Sequence, residues 1–237
     1  IRRHREREAR ATIVLTPVDD PSAYGLVEID DLGNVRRFLE KPSPNQITCN
    51  TINAGIYVLE PETFDRIPDG TKWSIERQYF PSLVERGETF VAYVDRGYWL
   101  DIGTPASYVR AHRDLMAHRC AAGPFVGQPP GTVYRDGDCQ VAGDAEIEGP
   151  CFLGAGCVVG EGARVGANSV LGPCCTIGPG AVVERSILWR NTLVEHQAVV
   201  RDAVLGERCR IEHHVEVGPG TVLGNRSTLT AYSRTPR

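Results

Sequence analysis

CFLGAGCVVGEGARVGANSVLGPCCTIGPGAVV, residues 151–183, carries an aliphatic side chain at every sixth position: Leu153, Val159, Val165, Leu171, Ile177 and Val183. The same spacing reaches back through Ile147 to Val141. A second register runs through Ile187, Leu193, Val199, Leu205, Ile211, Val217, Leu223 and Leu229. Ile177 and Ile187 stand ten residues apart, so the offset reads as a four-residue loop. Four places after each aliphatic residue of the first register comes a small one: Ala145, Cys151, Cys157, Ala163, Ser169, Cys175 and Ala181. Glycine commonly follows the aliphatic residue, as at Gly154, Gly160 and Gly166. Period six fits neither a helix nor an alternating strand and marks a stacked repeat. Three short strands close one triangular coil, with the aliphatic side chains inside, the small residues near the corners, and glycine giving backbone freedom at the turns. The 89 residues from Val141 to Leu229 predict about five coils, each adding roughly 4.8 Å to the stack.

Composition changes sharply where this repeat begins. Of 25 glycines only seven precede Cys120, whereas 14 of 17 aromatic residues precede Val141, which predicts two domains of different construction. A net charge of -4 and a pI near 5.9 argue against nucleic acid or an anionic membrane surface as partner, because both demand a strong basic field. No apolar run approaches the roughly 18 residues of a membrane span, and the basic opening RRHRERE is not followed by a signal core. The eight cysteines form no Cys-x-x-Cys pair, and Cys151, Cys157, Cys175 and Cys209, at the small position of the repeat, read as core residues, which fits a reducing compartment and an expected cytoplasmic location. The chain opens on Ile1 with a helix end running into the strand ATIVLTPV, as if entered partway through a domain.

Strand-like segments (ATIVLTPV, YGLVEI, VRRFLE, TINAGIYVL, TFVAYV) alternate with helix-like ones (PETFDRI, IERQYFPSLVERG, PASYVRAHRDLMAH), the pattern of an α/β sheet. Four short motifs stand on it in order: Tyr24-Gly25, Glu40-Lys41-Pro42, Asn53-Ala54-Gly55-Ile56-Tyr57, and Trp99-Leu100-Asp101-Ile102-Gly103-Thr104. Their order and spacing, with the hexapeptide tail, resemble the sugar-nucleotide pyrophosphorylases. These are nucleotidyltransferases that join a nucleoside triphosphate to a sugar 1-phosphate and release pyrophosphate. Within that family the wording PSAYG, EKP, NAGIYVLEP and WLDIGTP is most similar to the mannose-1-phosphate guanylyltransferases.

The resemblance implies an α/β fold: the C-terminal part of a Rossmann-like nucleotidyltransferase domain over residues 1–118, a linker over 119–140, a left-handed parallel β-helix over 141–230, and a tail at 231–237. It implies that Lys41 binds the phosphate of the sugar phosphate, and Lys41 is one of only two lysines beside 24 arginines. Glu40 would accept hydrogen bonds from neighbouring sugar hydroxyls. Gly25 would let main chain approach the sugar, and Asn53, ending a strand, would hydrogen-bond the hexose. Asp101 would sit where a strand ends and a helix is about to begin, as a ligand of Mg²⁺; Thr104 before Pro105 is the better helix cap. The plainer roles for these residues are a solvated turn lysine, a strand-end charge, a turn glycine and two caps.

The same resemblance implies a homo-oligomer assembled through the β-helix, and GTP with mannose 1-phosphate as substrates. Glucose 1-phosphate with thymidine or adenosine triphosphate is the alternative pair. No Gly-rich phosphate loop and no first metal-binding Asp are found, so the chain as written is expected to release no pyrophosphate by itself. Two other functions compete. Hexapeptide β-helices also form acyltransferases with a histidine base, for which His196, His213 and His214 are the candidates at turn positions. A noncatalytic regulatory relative that keeps the sugar-binding shell is the other.

Overall fold

β1 (Ala11–Pro17) puts Ala11, Ile13 and Leu15, all fully buried, on one face and Thr12, Val14 and Thr16 on the other. It runs parallel to β5 (Phe90–Val94) and antiparallel to β4 (Thr51–Leu59), while β2 (Gly25–Ile29) pairs with β4 and with β3 (Val35–Glu40). The resulting mixed sheet has the order β3-β2-β4-β1-β5. A short helix, α1 (Arg2–Glu6), docks through buried His4, whose ring is held between Thr12 Oγ1 (2.8 Å) and Glu60 Oε1 (2.9 Å). A one-turn π-helix, Ile75–Tyr79, runs into α2 (Phe80–Glu85), and Tyr79, Phe80 and Leu83 close the core over Phe38 and Phe90.

These elements belong to one of two compact units in the computed structural model, which describes residues 1–236; the units are Ile1–Trp99 and Leu100–Arg237. The second begins with α3 (Pro105–Met116), capped by Thr104, whose Oγ1 accepts from Ser107 N (3.1 Å). Arg113 of that helix reaches Asp202 of the repeat at 3.3 Å, so α3 packs with the coils.

The coils are three stacks of short parallel strands with six, five and six members among the described residues, a parallel β-helix. Leu153, Val159, Val165, Leu171, Ile177 and Val183 fill the interior, and Cys151, Cys157, Ala163, Ser169, Cys175 and Ala181 lie buried at the small positions. Gly154 is required by the stacking: a Cβ there would stand 2.6 Å from Pro173 N of the next coil. The cysteines are free, and burial pushes the Cys157 thiol up to about 11 and the Cys175 thiol up to about 12, which leaves both protonated and inert.

Two expectations about the repeat are corrected. There is no four-residue loop. The interior continues through Leu188, Val194 and Val200, in register with Leu171, Ile177 and Val183, so Ile187, Leu193 and Val199 lie one place off the interior line. Each of two turns, at Arg185 (φ 49°) and Asp202 (φ 48°), is one residue shorter than the others, and after the second the expected positions from Leu205 onward are right again. Adjacent aliphatic pairs (Ile187-Leu188, Leu193-Val194, Val199-Val200) left the frame ambiguous in the sequence. The stack also starts earlier than Val141: Val133–Arg135, inside the stretch expected as linker, pairs with Cys151–Leu153, and Arg135 occupies the row of Leu153, which breaks the aliphatic pattern.

Candidate active site

Gly25 opens β2 directly opposite Glu40, the last residue of β3. A side chain at Gly25 would put its Cβ 2.8 Å from the Phe38 ring and 3.1 Å from Glu40 Oε2, so only glycine leaves the Glu40 carboxylate its place. The next residue, Lys41, is exposed and adopts a left-handed backbone (φ 50°), held by its N–H donating to Tyr24 O at 2.9 Å. In the first unit only Glu8 and Lys41 are non-glycine residues with positive φ among the described residues. A non-glycine residue with left-handed backbone beside a half-buried carboxylate is an outlier that makes these residues candidates for a site.

Glu40 has its pKa raised, first by burial and then by the charge of Glu76; Lys41 and Arg77 pull it the other way. Glu76 rides on the π-helix, whose Ser74 cap accepts from Arg77 N at 3.1 Å. Sequence reasoning missed Glu76, because an acidic residue in a first helical turn looks like dipole stabilisation. Its sequence signal was an acidic residue set between Ile75 and the aromatic pair Tyr79-Phe80.

Asn53 does not end a strand. It lies within β4 at an irregularity where Ile13 pairs with Tyr57 but Leu15 with Asn53, leaving Ala54-Gly55-Ile56 bulged out. Asn53 bridges that bulge: its Nδ2 donates to Tyr57 Oη (2.8 Å) and its Oδ1 accepts from Gly55 N (2.9 Å). Burial raises the Tyr57 pKa, the Asn53 bond lowers it, and Glu76 and Glu40 raise it further, which places all four groups around one field. Trp99 joins them, with Nε1 donating to Ala54 O at 3.2 Å and its ring edge-on to Tyr24 at 5.6 Å between centroids. The first unit thus brings Gly25, Glu40 and Asn53 onto neighbouring strands with Lys41 just past the end of β3, and Tyr24, Ala54 and Trp99 tie their motifs together.

Asp101 belongs to the second unit. No strand ends before it: β5 stops at Val94, and Asp101 stands in an irregular stretch ahead of the Thr104 cap. Its carboxylate is exposed, with Oδ1 accepting from Gly103 N at 3.1 Å. A Cβ at Gly103 would come within 3.2 Å of Oδ2, so glycine there keeps the second oxygen uncrowded. An exposed carboxylate with an open oxygen fits a hard cation such as Mg²⁺, which takes one or two carboxylates and completes its shell with water and phosphate.

Residues 1–118 match the family model described as Nucleotidyl transferase, and residues 130–233 match the one described as EIF2B subunit epsilon LbH domain. The class is a nucleotidyltransferase domain joined to a parallel β-helix, as in a sugar-nucleotide pyrophosphorylase. The first half of the chain is a nucleotidyltransferase domain. It is similar to a mannose-1-phosphate guanylyltransferase of Mycobacterium tuberculosis (strain ATCC 25618 / H37Rv), 43% identical over 114 residues, 48% of this chain and 31% of that protein. A UTP--glucose-1-phosphate uridylyltransferase of Synechocystis sp. is 38% identical over 119 residues, 49% of this chain and 31% of its own length. The mannose-1-phosphate guanylyltransferase catalytic subunit beta of Drosophila pseudoobscura pseudoobscura is 39% identical over 106 residues, covering 45% and 28%. The chain thus spans about a third of the length of the curated relatives it matches. Among the described residues no helix is long and apolar enough to cross a membrane.

Proposed function

We propose that this protein makes a nucleotide sugar from a nucleoside triphosphate and a sugar 1-phosphate, with GDP-mannose from GTP and mannose 1-phosphate as the reaction. The observation that carries the reading is the pairing of Gly25 with Glu40 and the left-handed Lys41 that follows. Together they offer a gap for a sugar ring, a carboxylate for its hydroxyls and a cation for its phosphate. A phosphate oxygen of the sugar 1-phosphate attacks the α-phosphorus of the triphosphate; the new P–O bond forms as the bond to the β-phosphate breaks, and pyrophosphate leaves. Glu40 and Asn53 orient the hexose, and Lys41 offsets the charge of the attacking phosphate as two anions approach. Asp101 would hold Mg²⁺, which when bound would supply neutralisation of charge on the phosphates. Two of the three relatives named above are guanylyltransferases of mannose 1-phosphate, which supports the mannose reading, while the Synechocystis relative favours glucose 1-phosphate with UTP as the second.

The assignment of Lys41 gives a substrate-specific test. A charged hydrogen bond lost on one substrate is worth about 1.5–3 kcal/mol, or roughly 10- to 100-fold. Lys41→Met in the enzyme as its gene encodes it is therefore expected to raise KM for the sugar phosphate by about that factor and to leave KM for the triphosphate within about twofold. Equal effects on both substrates in steady-state kinetics would remove Lys41 from the sugar-phosphate pocket.

A further inference from the structure

Successive coils bring three histidines to one corner of the β-helix. His214 N–H donates to His196 O of the coil before it (3.3 Å), and Tyr232 N–H of the next coil donates to His213 O (3.3 Å). The rings form two short columns: His196 stacks on His213 (4.9 Å, 14°) and His214 on Tyr232 (5.0 Å, 20°), while His213 and His214 stand almost perpendicular (89°). One ring nitrogen from each of His196, His213 and His214 lies within 4.8 Å of the others. His213 Nδ1 and His214 Nδ1 are 3.1 Å apart.

That spacing has a chemical reading. A tetrahedral ion with metal–nitrogen bonds of about 2.0–2.1 Å holds two ligand nitrogens about 3.4 Å apart, so His213 and His214 already stand close to a ligand pair. His196 is exposed and brings a third ring nitrogen within 4.8 Å of the other two residues' ligand atoms. The nearby carboxylate of Glu195 is committed elsewhere, to Arg210 (2.7 Å) and to His213 N–H (3.2 Å), which leaves a donor set of imidazole nitrogen alone. Such a set selects borderline transition metals over Mg²⁺ or Ca²⁺.

We propose that His196, His213 and His214 form a three-histidine site for a divalent transition-metal ion of the zinc class, with solvent in the fourth position. The site is built from turn residues of the β-helix and is independent of the nucleotidyltransferase reading. Because His196 lies one coil before His213 and His214, a bound ion staples neighbouring coils, and binding stabilises the folded β-helix.

The test uses tag-free protein stripped with chelator and titrated with Zn²⁺ by calorimetry. One ion per chain with a dissociation constant on the order of micromolar or tighter is expected, along with a rise in melting temperature. Co²⁺ in the same protein should give the intense visible absorption of a tetrahedral site. His196→Gln and His213→Gln should each weaken binding about tenfold or more. So should His214→Asn, chosen because asparagine tolerates the left-handed backbone at that position (φ 58°). Alkylating the exposed thiol of Cys174 should leave binding intact. Absence of Zn²⁺ binding tighter than about 1 mM would overturn the proposal. So would affinity unchanged in all three variants, or loss of binding on alkylation.

Discussion

Val165→Asp is expected to cost the β-helix several kcal/mol, enough to unfold its central coils, whereas a change at the preceding residue is nearly silent. Val165 is fully buried and stacks in register between Ile147 and Val183, so a carboxylate there would have apolar neighbours above and below and no partner. Arg164 points outward, with its guanidinium 3.4 Å from Glu148 and 3.9 Å from Glu184. Exposed pairs of this kind contribute about 0–1 kcal/mol, so Arg164→Gln should stay within roughly 0.5 kcal/mol of the parent. Glutamine is the control, because an aspartate at position 164 would face those two glutamates. Thermal melts with light scattering read the contrast, and equal damage from both changes would refute the hexad register.

The second large effect concerns turnover. Asp101→Asn keeps the shape of the side chain and its hydrogen bond from Gly103 N while removing the charge that would hold Mg²⁺. Deleting one preorganised electrostatic group costs about 2.7–4 kcal/mol of transition-state stabilisation, or about 10²- to 10³-fold in kcat. In the enzyme as its gene encodes it, that loss should appear in kcat at saturating substrates with little change in melting temperature, since the carboxylate is exposed. Turnover within about threefold of the parent would contradict the metal assignment.

Much of this molecule was legible in its sequence because its elements are periodic. The strands β1 to β5 fall where apolar and β-branched runs predicted them, and the interior line from Leu153 to Val183 follows from spacing alone. Legibility failed where two neighbouring residues satisfied the same rule. Both Ile187 and Leu188 are aliphatic, so one-residue shortening at Arg185 was invisible. It failed again at the first coil, where Arg135 replaces the interior residue because the stack ends there.

The site shows a similar division. Gly25, Glu40 and Lys41 are adjacent in the structure because two antiparallel strands and a turn connect them, which short-range spacing can reveal. Asn53 was expected at a strand end and lies within a strand, since an irregularity there leaves no strong composition signal beyond Gly55. Glu76 and the three-histidine corner depend on packing between distant segments. One residue of pattern around each of them reads as an ordinary first-turn acid or an ordinary exposed turn.

The central claim is the reaction, and product identity tests it most directly. The enzyme as its gene encodes it should be incubated with each of four nucleoside triphosphates and with mannose 1-phosphate or glucose 1-phosphate, with Mg²⁺, and the products weighed by mass spectrometry. The account predicts pyrophosphate and GDP-mannose as the dominant pair, both lost in Asp101→Asn. A different nucleotide sugar as dominant product would overturn the mannose and guanine assignment, and no nucleotide sugar from any of the eight combinations would contradict the proposed activity itself.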